Sequence, residues 1–307
     1  MTHMLRAELR RVAGRRLVRR TLFLVAAAVA IGGILAFAAT SSLSESTFHQ
    51  RVATAEAQDK AQQVRAEACL RSHGVKAGDD FTSEVASQCL PDNRIRAHDP
   101  RFHRARLRSV LQGTAGVLAI IGWALGASMV GSEFASRSMT TLLTWETRRT
   151  RLIVAKAAVV LVTVAAFAAV TLIAVALAML SALTAHGAPL RPDDPSLATL
   201  AGVIGRGTVL AAFAAGMGFA IATLGRNTAA ALGAGFAYII VLENILGNSL
   251  RRWRGWLLLG NAIVFVSGHA DADIPGRSVA GAALVLGGVA AALLVGAAAT
   301  FRVRDIA

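Results

Sequence analysis

The sequence predicts an all-α membrane protein with six transmembrane helices. Of its 307 residues, 55% are hydrophobic but only 6% are aromatic, and the apolar residues form long runs of Ala, Val, Leu and Gly. A helix needs roughly 20 such residues to cross the hydrocarbon core, where only helices or closed barrels satisfy their backbone hydrogen bonds. The alternating segments of about ten residues that typify transmembrane barrels are absent. We expect an extracytoplasmic insert between the first and second spans and a re-entrant or interfacial helical segment between the fifth and sixth.

Residues 1–20 precede the first predicted span, 21–40. They carry seven arginines and one glutamate, with Leu5, Leu9 and Val12 at helical spacing, which is typical of a cytoplasmic interfacial helix on the inner leaflet. The alternative is a secretory signal peptide. It fits less well because the apolar region runs about 20 residues, against roughly 7–15 in a signal peptide.

Residues 41–108 form the predicted extracytoplasmic domain, which we expect to be partly helical. Both cysteines of the chain, Cys69 and Cys89, lie in it. In an oxidising compartment, a disulfide between them would close a loop of about 20 residues and stabilise the domain by roughly 3 kcal/mol. Two free thiols are the alternative.

The remaining apolar runs complete the predicted topology. The segments are a second span (109–131), a cytoplasmic coupling segment (132–156), a third span (157–185), a fourth span (199–225), a fifth span (228–246), an external re-entrant segment (247–277), a sixth span (278–300) and a cytoplasmic tail (301–307). The third span is longer than a bilayer requires, so it should tilt or project. Within the re-entrant segment, the uncharged run 256–267 is too short to cross a membrane.

Two charged residues, Arg206 and Glu243, lie close to or within the predicted spans. A charge at membrane depth is costly, so it usually pairs with another group or faces a cavity. Both residues are therefore candidates for a gate or transport pathway. The structural alternatives are snorkelling of Arg206 to the interface and pairing of Glu243 with Arg206 or Arg251.

The coupling segment is a short charged region between two uncharged runs. Met139, Leu142 and Leu143 fall at spacings of three and four, which predicts a short helix with one apolar stripe. Arg149 and Lys156 belong to the basic group that follows, as expected at the cytoplasmic face of a bilayer. Such a helix offers a binding surface to a soluble partner, or it is simply an interfacial loop helix.

This segment resembles the cytoplasmic coupling segment of type 2 ABC exporter permeases. There a Glu leaves the second span, and a Gly-Thr pair, a leucine pair, a Pro, an Arg and a Lys follow. The matching residues here are Glu133, Ser138, Leu142, Leu143, Arg149 and Lys156. Arg137 stands where the family usually has Gly, and Glu146 where it usually has Pro. Glu243 near the end of the fifth span and the tail residues Phe301, Arg302, Arg304 and Asp305 resemble the same family.

The charge distribution predicts which side is cytoplasmic. With both termini inside, the inner segments hold fifteen basic and four acidic residues, a net charge of +11, whereas the outer domain has a net charge of only +2. Arg101, Arg104, Arg106 and Arg108 oppose this orientation because they precede the second span on the outer side. Their loop is 68 residues long, and loops longer than about 60 residues translocate largely regardless of charge.

Several chemistries are excluded or disfavoured. There is no G-x-x-x-x-G-K-[ST] phosphate loop, no H-E-x-x-H zinc motif and no G-x-S-x-G nucleophile signature, so no catalytic residue is predicted. His98, Asp99 and His103 form the one cluster with metal-ligand character, but a solvated polar stretch is the expected interpretation, so we predict no metal site. One Tyr and charges that cluster beside apolar runs argue against a nucleic-acid partner.

The resemblance implies a permease subunit of a bacterial ABC exporter in the cytoplasmic membrane. Two ABC ATP-binding subunits would hold ATP and Mg²⁺, and a second copy of the chain or a paralogous permease would complete the path, with membrane lipid as surroundings. No cofactor is expected on this chain. The cargo would be an amphipathic or lipid-like small molecule or peptide, and drug resistance is one role that such a cargo allows. The alternative is a non-transporting membrane protein that presents residues 41–108 as a sensing or binding module.

Overall fold

The computed structural model describes residues 16–72, 89, 99–136, 138–139, 149–190, 192, 194–246, 255–269 and 277–303. In this part of the chain the regular structure is helical. The helices are α1 (Arg16–Ala38), α2 (Glu45–Ser72), α3 (Arg104–Ala135), α4 (Arg149–His186), α5 (Leu197–Gly225), α6 (Thr228–Ala237), a π-helical segment (Tyr238–Leu246), α7 (Leu258–Ser267) and α8 (Val279–Val303). The all-α prediction is confirmed.

Four of these helices, α3, α4, α5 and α8, are long and apolar enough to cross a membrane. They correspond to the predicted second, third, fourth and sixth spans. The predicted first and fifth spans correspond to shorter apolar stretches, Phe23–Ala38 and Thr228–Glu243. The protein is therefore a multi-pass membrane protein.

The chain divides into two compact units. One comprises residues 1–34, 104–181 and 190–307, and the other comprises residues 35–103 and 182–189. In the first unit, α5 is the most buried of the four long helices, and it packs along α3 and against α8. Helix α5 ends in a tight turn, with Arg226 in the left-handed region (φ 52°), and the Asn227 side chain then caps α6 by accepting a hydrogen bond from the Ala229 amide.

The backbones of α3 and α5 approach closely at small residues. An added Cβ on Gly126 of α3 would lie 2.1 Å from the Ala215 carbonyl oxygen, and one on Gly218 of α5 would lie 2.2 Å from the Trp123 oxygen. Helix pairs in membranes gain their stability from van der Waals packing of this kind. Lipid cannot supply the hydrophobic driving force that associates helices in water, so this close contact positions the rest of the unit.

The second unit contains most of the predicted extracytoplasmic domain. Serines follow α1, and a separate helix, α2, begins at Glu45. Cys69 and Cys89 form the predicted disulfide, with a Cα–Cα distance of 5.4 Å. The disulfide prediction is thus confirmed.

Arg101 lies at the centre of the polar contacts of this unit, with only 3% of its area exposed. Its guanidinium donates hydrogen bonds to Asp99 (2.9 Å) and Glu45 (2.6 Å) and lies 4.2 Å from the centre of the Phe48 ring. Burial opposes the charged form of Asp99, but the hydrogen bonds from Arg101 outweigh burial and lower the pKa of this carboxyl to about 2. One of the four arginines that opposed the predicted orientation is therefore neutralised by its own neighbours.

The candidate metal cluster has another role in the described residues. The Asp99 carboxylate contacts Arg101 and, at 3.1 Å, the His103 ring, and His98 lies outside the described residues. Within the described part of the chain, no group of three or more His, Cys, Asp or Glu side chains is arranged to hold a metal ion.

We expect the Cys69–Cys89 disulfide to stabilise the second unit. Replacing Cys69 and Cys89 with Ser should lower its local stability by about 3 kcal/mol, because the closed loop no longer limits the unfolded chain. Limited proteolysis of the protein in proteoliposomes should then cleave residues 41–108 faster. Ala68→Ser, a change at an exposed neighbouring residue, is the matched control. Equal cleavage rates in the two variants would contradict the prediction.

Candidate functional site

The predicted coupling segment begins and ends at a buried ion pair. Glu133 lies at the end of α3 and Lys156 lies two turns into α4, and the Lys156 Nζ is 2.9 Å from a Glu133 carboxylate oxygen. The two side chains are only 10% and 4% exposed. Two charges are costly to remove from water, so a pair this buried is held by good geometry and is strongly disturbed when one partner is lost.

Lys156 lies inside α4, ahead of the predicted third span (157–185). The helix starts at Arg149 rather than at 157, so Lys156 is an interior residue of α4 and not a flanking residue. Leu152, Ile153 and Ala155 are buried beside it. Lys156 therefore lies on the buried side of this turn, where the Glu133 carboxylate compensates its charge.

The same end of α3 touches two further helices. An added Cβ on Gly131 would lie 2.2 Å from the Thr228 hydroxyl, at the start of α6. Phe134 meets Phe301 of α8 edge to face, with ring centres 6.4 Å apart. The end of α3 is therefore a junction of four helices, and we call Glu133, Lys156, Gly131, Thr228, Phe134 and Phe301 the α3 junction.

Of the three residues of the predicted apolar stripe, only Met139 lies within the described residues. Met139 is 1% exposed, so it packs inside the protein and anchors the segment instead of facing a partner. Leu142 and Leu143 lie outside the described residues, and Arg149 is the first residue of α4. Met139 is thus buried, and the partner-facing role of the two leucines stays a prediction.

The two other predicted site residues, Glu243 and Arg206, lie at opposite ends of α7, the helix of the predicted re-entrant segment. At its start, the Glu243 carboxylate accepts a hydrogen bond from the Leu259 amide (2.7 Å), and the Tyr238 hydroxyl accepts one from the Leu258 amide (2.9 Å). The first residues of a helix leave their amides without partners, and a negative charge there complements the helix dipole. Glu243 thus binds the backbone of α7.

Arg206 contacts the other end of α7. Its guanidinium lies against Gly268, the residue that ends the helix with a φ of 79°. Arg108 of α3 reaches the same end and donates a hydrogen bond to the Ser267 carbonyl oxygen (2.9 Å). Arg206 and Glu243 therefore lie at opposite ends of α7 and do not pair with each other. Arg251 lies outside the described residues.

Glu243 belongs to an unusual part of the fifth predicted span. Within the predicted fifth span, 228–246, the chain is α-helical from Thr228 to Ala237 and π-helical from Tyr238 to Leu246. Short π-helical segments often occur at functional positions because they turn side chains away from the α-helical direction. Here the segment carries both Tyr238 and Glu243, the two side chains that bind the start of α7.

Sequence reasoning missed three features of these sites. It singled out Glu133 and Lys156 separately and did not pair them, although opposite charges at the two ends of a charged region between apolar runs are a usable signal. It counted Arg108 only as a topological charge. No local signal identified Tyr238, whose hydroxyl is a partner only in the folded protein.

Comparison with known proteins gives one match. The family model described as ABC-2 family transporter protein matches residues 12–270, a range that contains all of α7, the second unit and the α3 junction except Phe301. No curated protein and no solved structure matches the chain.

Proposed function

Because the chain belongs to the ABC-2 family of transporter proteins, we propose that it is the permease subunit of an ATP-driven exporter in the bacterial cytoplasmic membrane. Permeases of this family generally work with ATP-binding subunits. In the proposed complex, two such subunits hold ATP and Mg²⁺, and a second permease, identical or paralogous, completes the path. No reaction takes place on this chain.

The observation that best supports the proposal is the buried ion pair between Glu133 and Lys156. It ties the two ends of the coupling segment together, so a force applied to the segment by a partner reaches α3 and α4 at once. The Gly131–Thr228 and Phe134–Phe301 contacts of the α3 junction pass the same displacement to α6 and α8. Closely packed elements shift between discrete arrangements instead of deforming smoothly, so this junction suits a unit that is pushed between two states.

The mechanism follows from this mechanical connection. ATP binding closes the pair of ATP-binding subunits and moves the coupling segments. The ion pair keeps α3 and α4 moving together, and the packing of the spans changes from a state open to the inside to one open to the outside. A partner shifts this equilibrium only by the difference in its affinity for the two states. We propose that the partner contacts Leu142 and Leu143 differently in the two states, which gives the difference in affinity.

The proposed topology has six spans with both termini in the cytoplasm. Its support is the net charge of +11 on the inner segments against +2 on the outer domain. The disulfide agrees, because such bonds persist in oxidising compartments outside the cytosol. The shorter helices α1 and α6 with its π-helical extension are the first and fifth spans in this arrangement.

We propose an amphipathic or lipid-like cargo, which includes hydrophobic drugs. Large apolar side chains are exposed along α1, α4 and the π-helical segment, among them Phe23, Leu177 and Val241. A groove of about 520 Å³ between α1, α3 and α4 is lined almost wholly by apolar residues. Such surfaces suit cargo with apolar chains better than hydrophilic solutes.

The proposed coupling role of Leu142 and Leu143 is tested by replacing both leucines with aspartate. The permease is co-expressed with an ABC ATP-binding subunit from the same organism, and the double variant Leu142→Asp/Leu143→Asp is compared with Thr141→Asp. Two carboxylates in an apolar interface should weaken the complex by roughly tenfold or more, so the ATP-binding subunit should no longer co-purify and permease-dependent ATPase activity should fall. Thr141→Asp adds a charge beside the pair and should keep the complex. Full co-purification with the double variant would contradict the proposal.

The orientation is tested by thiol labelling in intact cells. The two native cysteines are bridged, so Thr141→Cys introduces one reactive thiol. A membrane-impermeant maleimide should leave it unlabelled, whereas Ala57→Cys, exposed on α2, should be labelled from the medium. Labelling of Thr141→Cys from outside would overturn the proposed coupling segment.

A sensing or binding module is the second candidate function. It is favoured by the second unit, which is compact in itself and is stabilised by the disulfide and by the Arg101 contacts. If no ATP-binding subunit associates with the chain, while an extracellular protein or ligand is captured by residues 41–108, this function replaces the exporter.

A further inference from the structure

Two arginines from distant parts of the sequence meet at a single turn. The Arg108 Nη2 donates to the Ser267 carbonyl oxygen at 2.9 Å. Arg206 lies so close to the next residue that a Cβ on Gly268 would be 2.5 Å from its Nη2 and 2.7 Å from its Cζ. Consecutive Cα atoms are about 3.8 Å apart, so both guanidinium groups crowd the same end of α7. We call Arg108 and Arg206 the arginine pair.

Among the described residues no carboxylate forms an ion pair with Arg108 or Arg206; Asp271 and Asp273, which follow α7 in the sequence, lie outside the described residues. The Nε atoms of Arg108 and Arg206 are both buried and have no hydrogen-bond partner within the described part of the chain. Glu243 contacts the other end of α7, about 15 Å away along a ten-residue helix. The end of a helix supplies only about half a negative charge, which is less than two guanidinium groups require.

We propose that the arginine pair binds the anionic headgroup, a phosphate or a carboxylate, of an amphiphile. Both arginines are partly exposed, with their Nε atoms buried, and a planar guanidinium binds either group through two parallel hydrogen bonds. A phosphate with three terminal oxygens accepts bonds from two arginines at once. The two orphaned Nε–H groups supply donors for these oxygens.

The remainder of the ligand is apolar. Leu259 and Ile263 are 53% and 49% exposed, and they precede Ser267 at successive spacings of four, so an apolar stripe runs along one face of α7 towards the arginine pair. This arrangement matches a molecule with a charged head and an aliphatic chain. A free inorganic anion would leave the stripe unused.

This inference goes beyond the proposed function, because binding requires neither an ATP-binding subunit nor transport. It is tested on the full-length permease in detergent by isothermal titration with three probes, dihexanoylphosphatidic acid, dihexanoylglycerol and inorganic phosphate. Phosphatidic acid should bind at least tenfold more tightly than dihexanoylglycerol, which has the same chains without the phosphate. Inorganic phosphate should bind at least tenfold more weakly than phosphatidic acid. If inorganic phosphate binds as tightly as phosphatidic acid, the ligand is not an amphiphile. If dihexanoylglycerol binds as tightly as phosphatidic acid, the arginine pair does not bind an anion.

Variants connect the binding to the residues. Arg206→Gln and Arg108→Gln should each weaken phosphatidic acid binding by about tenfold or more, whereas Arg106→Gln, an exposed arginine on the same helix, should leave it unchanged. Arg206→Lys keeps the charge and loses the planar fork, so it should bind with intermediate affinity even if the Gln variant folds poorly. Unchanged affinity in both Gln variants would refute the site.

A purely structural role of the arginine pair makes the opposite prediction for stability. If the pair only complements the end of α7, Arg206→Gln should lower the unfolding temperature without ligand and leave the affinity of the folded protein unchanged. For a ligand site, removing one of two neighbouring like charges should leave the ligand-free unfolding temperature unchanged or raise it. Loss of ligand-free stability together with unchanged affinity would refute the proposal.

Discussion

Lys156→Met is expected to lower the free energy of unfolding by about 3–5 kcal/mol, because it removes the ammonium group that lies 2.9 Å from the buried Glu133 carboxylate. The midpoint of thermal unfolding in detergent should fall by roughly 5–10 °C. Glu133→Gln should have a similar effect, since it removes the carboxylate charge next to the buried Lys156 ammonium. The double variant Glu133→Gln/Lys156→Met should recover most of the lost stability, because neither charge remains in the interior.

The control for this cycle is Arg151→Met, which removes one basic charge from the same end of α4. Arg151 is partly exposed and has no ion pair among the described residues, so its unfolding midpoint should change little. If Lys156→Met and Arg151→Met are equally stable, or if the double variant is no better than the single ones, the ion pair does not stabilise the α3 junction.

The same variants distinguish the effect of the ion pair on stability from its effect on the transfer of movement between the ATP-binding subunits and the helices α3 and α4. In the complex with ATP-binding subunits, the stable double variant lacks the ionic link between α3 and α4, so permease-dependent ATPase activity should remain low. A merely structural role of the pair would predict that activity returns together with stability.

Gly126→Ala is expected to disrupt folding even though it adds a single methyl group. The added carbon would lie 2.1 Å from the Ala215 carbonyl oxygen and 2.8 Å from the carbonyl carbon. Both are backbone atoms of a buried helix and cannot rotate away, so α3 and α5 must separate. Overpacking costs about 1–3 kcal/mol, and occasionally more, in well-packed interiors, and this contact is the one along which the two helices are aligned.

The matched control is Gly116→Ala on the same helix. A carbon added at Gly116 meets nothing within 4 Å, so the usual preference of helices for Ala over Gly should leave the protein as stable as before or up to about 1 kcal/mol more stable. The monodisperse yield on size-exclusion chromatography and the unfolding midpoint measure both variants. Equal behaviour of Gly126→Ala and Gly116→Ala would show that α3 and α5 are not held by close backbone packing.

The predictions from sequence that were confirmed concern properties of single segments or of unique residues. Helices α3, α4, α5 and α8 were predictable because hydrophobicity averaged over about 20 residues is a local property. The Cys69–Cys89 bridge was predictable because the chain contains two cysteines and both fall in one polar segment. Helix ends do not follow from hydrophobicity alone: α4 begins at Arg149, before the predicted third span, because Lys and Arg continue a helix beyond its apolar part.

The candidate sites were predictable as residues but not as contacts. Glu133, Lys156, Glu243 and Arg206 each stand out because a charge beside or within an apolar run is costly. Their partners depend on how the helices are rotated and packed, which no local pattern encodes. The pairing of Glu243 with the start of α7 requires a π-helical turn, and a 9-residue π-helical segment has no recognisable sequence signature.

The sequence by itself determined that the chain is a helical membrane protein, which segments are apolar, and which charged residues are costly enough to need a partner. Only the tertiary structure decided that Lys156 neutralises Glu133, that Met139 packs inward, and that Arg108 and Arg206 share one turn. The physical reason is that burial in lipid follows from composition along the chain, whereas ion pairs and close backbone contacts depend on the relative rotation of helices that are far apart in sequence.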